Sequence, residues 1–197
     1  MKLFFDTETT GKALFKAPPN HPMQPRIVQL AAVLFDDDGA ECGSLNAIIK
    51  PEGWTIPADA SAIHGITTER ALKCGIPIMS ALAVFSNFLH LADTLVAHNL
   101  DFDELVVSAD LVRLPNPGAQ KCFDRLAEIA TFCTMKNTTQ ICQLPGNYGD
   151  FKWPKLTEAH KHLFGTDVEG AHDAMADVRA CARIYFEITK PKIENAA

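Results

Sequence analysis

The sequence predicts an α/β fold, a mixed central sheet with helices packed on it, and three observations carry that expectation. The chain opens with three apolar runs joined by turn signals, the pattern changes to helical spacing after Pro57, and short apolar segments then alternate with helical ones. A hydrophobic content of 47% in 197 residues suffices for one buried core, and no low-complexity tract or linker divides the chain. Residues 1–197 are therefore read as a single domain.

Leu3 to Asp6 reads as a short strand that Thr9-Thr10-Gly11 breaks. Arg26 to Phe35 is a second strand, nearly continuous in apolar content, and Asp36-Asp37-Asp38-Gly39 turns it into a third at Gly43 to Lys50. The opening is thus an antiparallel meander. Helices are expected near Ala58 to Ile63, from Thr67 with Thr68 and Glu69 in the first turn, and from about Pro77 to Leu91. Thr94 to Ala97 is a buried strand, and the helix after it starts near Phe102 and runs to Leu114, where Pro115 and Pro117 stop it. Ile129 to Cys133 is the last strand, with helices near Thr134 to Cys142, Leu156 to Phe164 and Asp173 to Thr189. Two loops exceed an ordinary connection: Lys12 to Pro25, with Pro18, Pro19, Pro22 and Pro25, and Gln143 to Lys155, with Gly146, Tyr148, Gly149 and Trp153. Each is either a substrate-facing flap or a tolerated surface insertion.

Composition excludes several classes. Asp6 and Glu8 interrupt the apolar N-terminus before a secretory core can form, and no run reaches the roughly 18 to 20 apolar residues of a membrane span. A soluble, cytoplasmic protein without a membrane partner is expected. Six cysteines lie apart with no C-x-x-C pair, so neither a zinc site nor a redox motif is indicated. The net charge of −6 excludes a large non-specific footprint on duplex DNA. It does not exclude phosphate altogether, because bound cations attract phosphate locally.

Three segments place acids at the ends of expected core elements. Asp6 and Glu8 are two apart, so a strand puts both on one face, Cα atoms roughly 6 to 7 Å apart, near enough to share a cation. The same string also suits a simple turn. Asp103 falls in the first turn of its helix, where the helix dipole tolerates an acid anyway, and Asp101 competes with it as the N-cap. His98 and Asn99 close the preceding strand and shape that corner. His172 and Asp177 would stand about 140° apart on one helix, so they converge only if His172 precedes the helix and Asp173 caps it.

Taken together, Asp6-Thr7-Glu8-Thr9-Thr10-Gly11, His98-Asn99 through Phe102-Asp103, and His172 through Asp177 closely resemble, in order, the three motifs of the DEDDh group of 3′-to-5′ exonucleases. That group belongs to the proofreading-exonuclease superfamily with a ribonuclease H-like fold. The resemblance implies an antiparallel trio of strands followed by parallel ones. It implies that Asp6, Glu8, Asp103 and Asp177 hold two Mg²⁺ or Mn²⁺ ions, Asp6 bridging them, and that His172 is the general base. The chemistry suits the residues, since hard divalent ions prefer carboxylate oxygens and histidine as a residue type titrates near neutrality.

The resemblance further sets the backbone of Thr9, Thr10 and Gly11 against a terminal nucleotide and packs the H-G-I element around His64 on its base or sugar. Asn99 and Phe102 join this substrate-contacting set, Phe102 either stacking on a base or filling the core. Gln29 stands where many relatives carry Glu, Cys133-Thr134 where many carry Asp-Thr, and the loop after Gly11 is longer than usual. Lys12, Lys16, Lys152, Lys155 and Trp153 either contact substrate there or solvate the two loops. The expected activity releases nucleoside 5′-monophosphates from 3′ ends of single-stranded nucleic acid, DNA ahead of RNA. The alternatives are an RNA-directed exoribonuclease or oligoribonuclease of the same group, and a non-catalytic module that binds nucleic acid or a polymerase. The seven residues after Lys190 are too few for a tethered polymerase-binding segment, so a free-standing enzyme is expected.

Overall fold

The computed structural model describes residues 1–190. The expectation about the segment after Lys190 lies outside the described residues. In chain order the elements are β1 (Lys2–Thr9), β2 (Ile27–Phe35), β3 (Glu41–Ile48), α1 (Ala58–His64), α2 (Thr68–Cys74), α3 (Ile78–Leu91) and β4 (Thr94–Ala97). There follow α4 (Leu100–Val112), α5 (Pro117–Glu128), β5 (Ala130–Cys133), α6 (Thr134–Cys142), α7 (Leu156–Phe164) and α8 (Ala174–Thr189). The sheet order is β3-β2-β1-β4-β5. The first three strands pair antiparallel, and β4 and β5 add on in parallel.

Alternation along β1 divides the core in two. Leu3 and Phe5 point to one face, where Phe85 and Leu89 of α3 and Val106 and Val107 of α4 cover them. Phe4 points to the other, against Val178, Cys181 and Tyr185 of α8. With helices on both faces, Ile27 to Leu34 of β2 are buried without a break, which is why that run lacks polar alternation. The hairpin turn forms as expected: the Asp36 carboxylate accepts from the backbone N–H groups of Asp38 and Ala40, and Gly39 takes a positive φ of 82°.

Three expectations need correction. The first strand does not end at Asp6 but runs to Thr9, with a register irregularity between Glu8 and Thr9. Pro117 does not mark only a stop, because Asn116 accepts from Ala119 N–H as an N-cap and Pro117 opens the unforeseen helix α5. Proline at the first helical position lacks only an N–H that would have no helical partner there. Asp101 is not the cap of α4, since Asn99 holds that position in a left-handed conformation and Asp101 pairs with Lys136 on the surface.

Both long loops are folded. Gln24, buried at 3% exposure, bonds to the backbone of Leu14 and Ala17 inside the first, and a bridge between Pro145 and Phe151 closes the second as a small hairpin. Cys122, Cys133, Cys142 and Cys181 are buried free thiols, while Cys42 and Cys74 are exposed. Among the described residues, no helix is long and apolar enough to cross a membrane.

Candidate active site

The topology opens one edge of β1 where the acids lie. β4 pairs only with Lys2 to Phe4, so from Phe5 onward that edge of β1 lacks a strand partner. A free backbone donor there needs an acceptor. Asp103, buried at 3% exposure in the first turn of α4, supplies it: its Oδ1 accepts from Thr7 N–H at 3.0 Å and from the Thr7 hydroxyl at 2.7 Å. Thr7 points to the α4 face, whereas Asp6 and Glu8, sharing the face of Phe4, point toward α8.

α8 brings the fourth acid. Asp173 caps it, accepting from the N–H groups of Met175 and Ala176, and Asp177 lies one turn in. His172 stands before the helix, as its spacing requires, with a positive φ of 70°; Gly170 at φ 71° begins the turn, and its carbonyl accepts from Asp173 N–H at 3.0 Å. A non-glycine residue in that region is uncommon and is held here by the turn and by Asp177, whose Oδ2 accepts from His172 N–H at 3.2 Å. The imidazole is exposed, and ligand atoms of Glu8, His172 and Asp177 lie within 4.8 Å of one another.

The electrostatics are those of buried acids crowded together, opposed at Asp177 by His172. Burial, then the charges of Asp103, Asp177 and Glu8, hold the Asp6 carboxyl well above the usual carboxylate range. Burial and Asp177 push Glu8 up to about 8. Burial raises Asp103 to about 7 against the opposing pull of its two Thr7 hydrogen bonds, and burial raises Asp177 against its bond from His172. Asp177 Oδ1 is buried with no hydrogen-bond partner among the described residues. Four acids of raised pKa and an orphaned carboxylate oxygen fit hard divalent cations, which would restore the ionised forms and satisfy that oxygen.

Beside Glu8 lies a cavity of about 460 Å³, lined by Thr9, Gly11, Lys12, Ile63, His64 and Phe102 among others. His64 Nδ1 accepts from Ile66 N–H, which leaves Nε2 to carry the proton of the neutral ring; that buried Nε2 lies near the Thr9 backbone but makes no hydrogen bond of good geometry among the described residues. Burial also lowers the His64 pKa. Phe102 both packs on the core and lines the cavity. Thr10 and Asn99 are not part of the lining: Thr10 exchanges hydrogen bonds with Arg26, and Asn99 forms the left-handed corner before α4. His98 braces the same corner through Thr134 Oγ1 and the Pro154 carbonyl, and burial lowers its pKa to about 4.

Two supporting residues went unrecognised in the sequence. Thr7 holds Asp103, and its only signal was its place between two acids, facing the other way. Gln29, opposite Glu8 in β2, donates to Asp173 Oδ2 at 3.0 Å and to Asn46, and accepts from Ala174 N–H at 3.3 Å. It ties the start of α8 to the sheet beside the acids. At this position a glutamate could not donate to Asp173 when ionised.

Comparison with known proteins gives a consistent picture. An exonuclease of Escherichia phage 186, CP81, itself uncharacterised, is 32% identical over 194 residues, covering 96% of this chain and 88% of its own. E. coli exonuclease I in complex with a dT13 oligonucleotide superposes with a TM-score of 0.64 at 23% identity, over 93% of this chain and 40% of that one. The zinc-bound form of its complex with single-stranded DNA gives 0.65 at 23%, over 96% and 41%. The chain thus spans about two-fifths of those solved chains, and the likeness to them is one of fold, the ribonuclease H-like α/β arrangement. The family model RNase_T, described as exonuclease, matches residues 3–185, a span that runs from the first acid's strand into the helix of the last, and the chain belongs to that exonuclease family.

Proposed function

We propose that residues 1–197 act as one metal-dependent 3′-5′ exonuclease unit that removes nucleoside 5′-monophosphates from single-stranded nucleic acid, DNA ahead of RNA. The observation that carries this reading is the approach of Glu8, His172 and Asp177 to within 4.8 Å of one another, from a strand and from a helix start far along the chain. Asp6, Glu8, Asp103 and Asp177 would hold two Mg²⁺ or Mn²⁺ ions. Such ions, when bound, supply the charge that stabilises the attacking and leaving oxygens of an in-line phosphoryl displacement.

The chain's own residues do the rest. His172, exposed on its turn, takes the proton of the attacking water, and the bond from its backbone N–H to Asp177 holds the turn from which its ring projects. Thr7 keeps the Asp103 carboxylate facing the cluster. Ile63 and Phe102 flank the terminal base in the adjoining cavity, while His64 Nε2–H donates to an acceptor on the nucleoside. The Thr9 to Gly11 backbone ends the path of the strand, so a free 3′ end enters and an internal segment does not. The single-stranded DNA bound by E. coli exonuclease I supports DNA as the first substrate to try.

The test is a 5′-labelled single-stranded DNA and its RNA counterpart incubated with Mg²⁺, Mn²⁺ or EDTA and resolved on a sequencing gel. A ladder that shortens from the 3′ end only with metal is expected, and the relative rates choose the sugar. Internal cuts, or no cleavage with any metal, would overturn the reading.

A further inference from the structure

We propose that Phe15, on the proline-rich loop, is a second base-stacking site that binds the nucleotide next to the terminal one; the inference rests on the nuclease reading and adds the loop to its substrate contacts. Phe15 is 60% exposed, so most of its ring is open to a ligand. Its ring centre lies 6.5 Å from that of Phe102, which lines the cavity beside Glu8. The two rings therefore form one continuous aromatic surface that begins at the candidate catalytic cluster and leads away from it. Lys12 and Lys16 are exposed on either side of Phe15, and Lys12 also lines the cavity. Exposed aromatics interleaved with lysines suit single-stranded nucleic acid, whose bases stack without regard to sequence while cations meet the phosphates.

The loop is built to hold that ring in place. Gln24 Oε1 accepts from Leu14 N–H at 3.0 Å, and Nε2 donates to the Leu14 carbonyl at 3.0 Å and the Ala17 carbonyl at 3.2 Å, so the backbone on both sides of Phe15 is clamped. Arg113 donates to the carbonyls of Gln24 and Pro25 and is itself held by the buried Asp110 at 2.8 Å. A stacking partner fixed beforehand loses little freedom when a base arrives. The planes of Phe15 and Phe102 meet at 57°, so two neighbouring bases cannot each lie flat on one ring and stay stacked on each other. The strand is splayed at this step, which favours an unpaired end.

The experiment compares two substrates with the full chain and Mg²⁺: a trinucleotide, whose base next to the 3′ terminus reaches Phe15, and the same trinucleotide with an abasic residue at that position, which gives Phe15 nothing to stack on. Phe15→Ala should raise KM for the trinucleotide about tenfold, equivalent to about 1.4 kcal/mol, and leave both kinetic constants on the abasic substrate within about twofold. Phe15→Trp should restore the parental KM. An unchanged trinucleotide KM in F15A, or an equal loss on both substrates, would overturn the proposal while leaving the nuclease reading standing. A parent enzyme that cleaves neither substrate would remove both.

Discussion

Replacing Asp103 by asparagine should stabilise the metal-free protein while abolishing its activity. Asp103 is 3% exposed and its carboxyl is pushed up to about 7 from an ordinary 3.8. Because the folded pKa lies above the unfolded one, the fold favours the neutral acid. That contribution is complete below about pH 4 and is lost as pH rises to about 7, at up to about 1.4 kcal/mol per pH unit. The full shift corresponds to about 4 kcal/mol; neighbouring acids share the protons, so one substitution recovers about 2 kcal/mol. The asparagine carbonyl can still accept both Thr7 hydrogen bonds, so little is lost in exchange. For a chain of this length that gain is about 4 to 8 °C in Tm. Calorimetry in EDTA should show the parent losing stability between pH 4 and 8, the upper limit set by Glu8 at about 8, with the variant's advantage growing over the same window. Saturating Mg²⁺ should reverse the order, since ligand binding stabilises only the chain that retains its site. A variant that melts below the parent at pH 8 in EDTA, or a difference that ignores pH, would refute the argument that these acids repel one another.

Three further substitutions probe the supporting contacts. Thr7→Val keeps the backbone donor to Asp103 but removes the hydroxyl donor at 2.7 Å, and should weaken apparent Mg²⁺ affinity or kcat by roughly 10- to 100-fold in a metal titration of the nuclease rate. Gln29→Glu replaces an N–H donor 3.0 Å from Asp173 with a carboxylate, and should lower stability in EDTA by about 2 kcal/mol at pH 7 and by less at pH 4, measured by urea denaturation. His172→Ala should reduce kcat by about 10²-fold or more and leave the Mg²⁺ midpoint nearly unchanged; equal losses in both would make His172 a structural residue.

Much of this site was legible because its parts are local. A two-residue spacing on a strand puts Asp6 and Glu8 on one face whatever surrounds them, and a five-residue spacing across an N-cap lets His172 approach Asp177. The first strand was drawn too short because Thr9-Thr10-Gly11 looked like a break, yet pairing with β2 carries it through Thr9. α5 escapes the sequence pattern because Pro115 and Pro117 read as an end, whereas Asn116 capping Ala119 N–H makes Pro117 a beginning. Thr7 and Gln29 were not recognised as supports because their partners, Asp103 and Asp173, lie 96 and 144 residues away.

By itself the sequence determined which acids exist, the order in which they come, and the strand and helix ends on which they stand, since those follow from backbone periodicity, capping and turn chemistry. Only the tertiary structure decided that β4 stops short and frees the Thr7 N–H for Asp103, that Asp177 is left with an unpartnered oxygen, and that Phe15 meets Phe102. Those contacts depend on how the sheet's edge, α4, α8 and the proline-rich loop pack together. No short stretch of residues encodes such distances, because each is set by the packing of elements that close on one another across the whole chain.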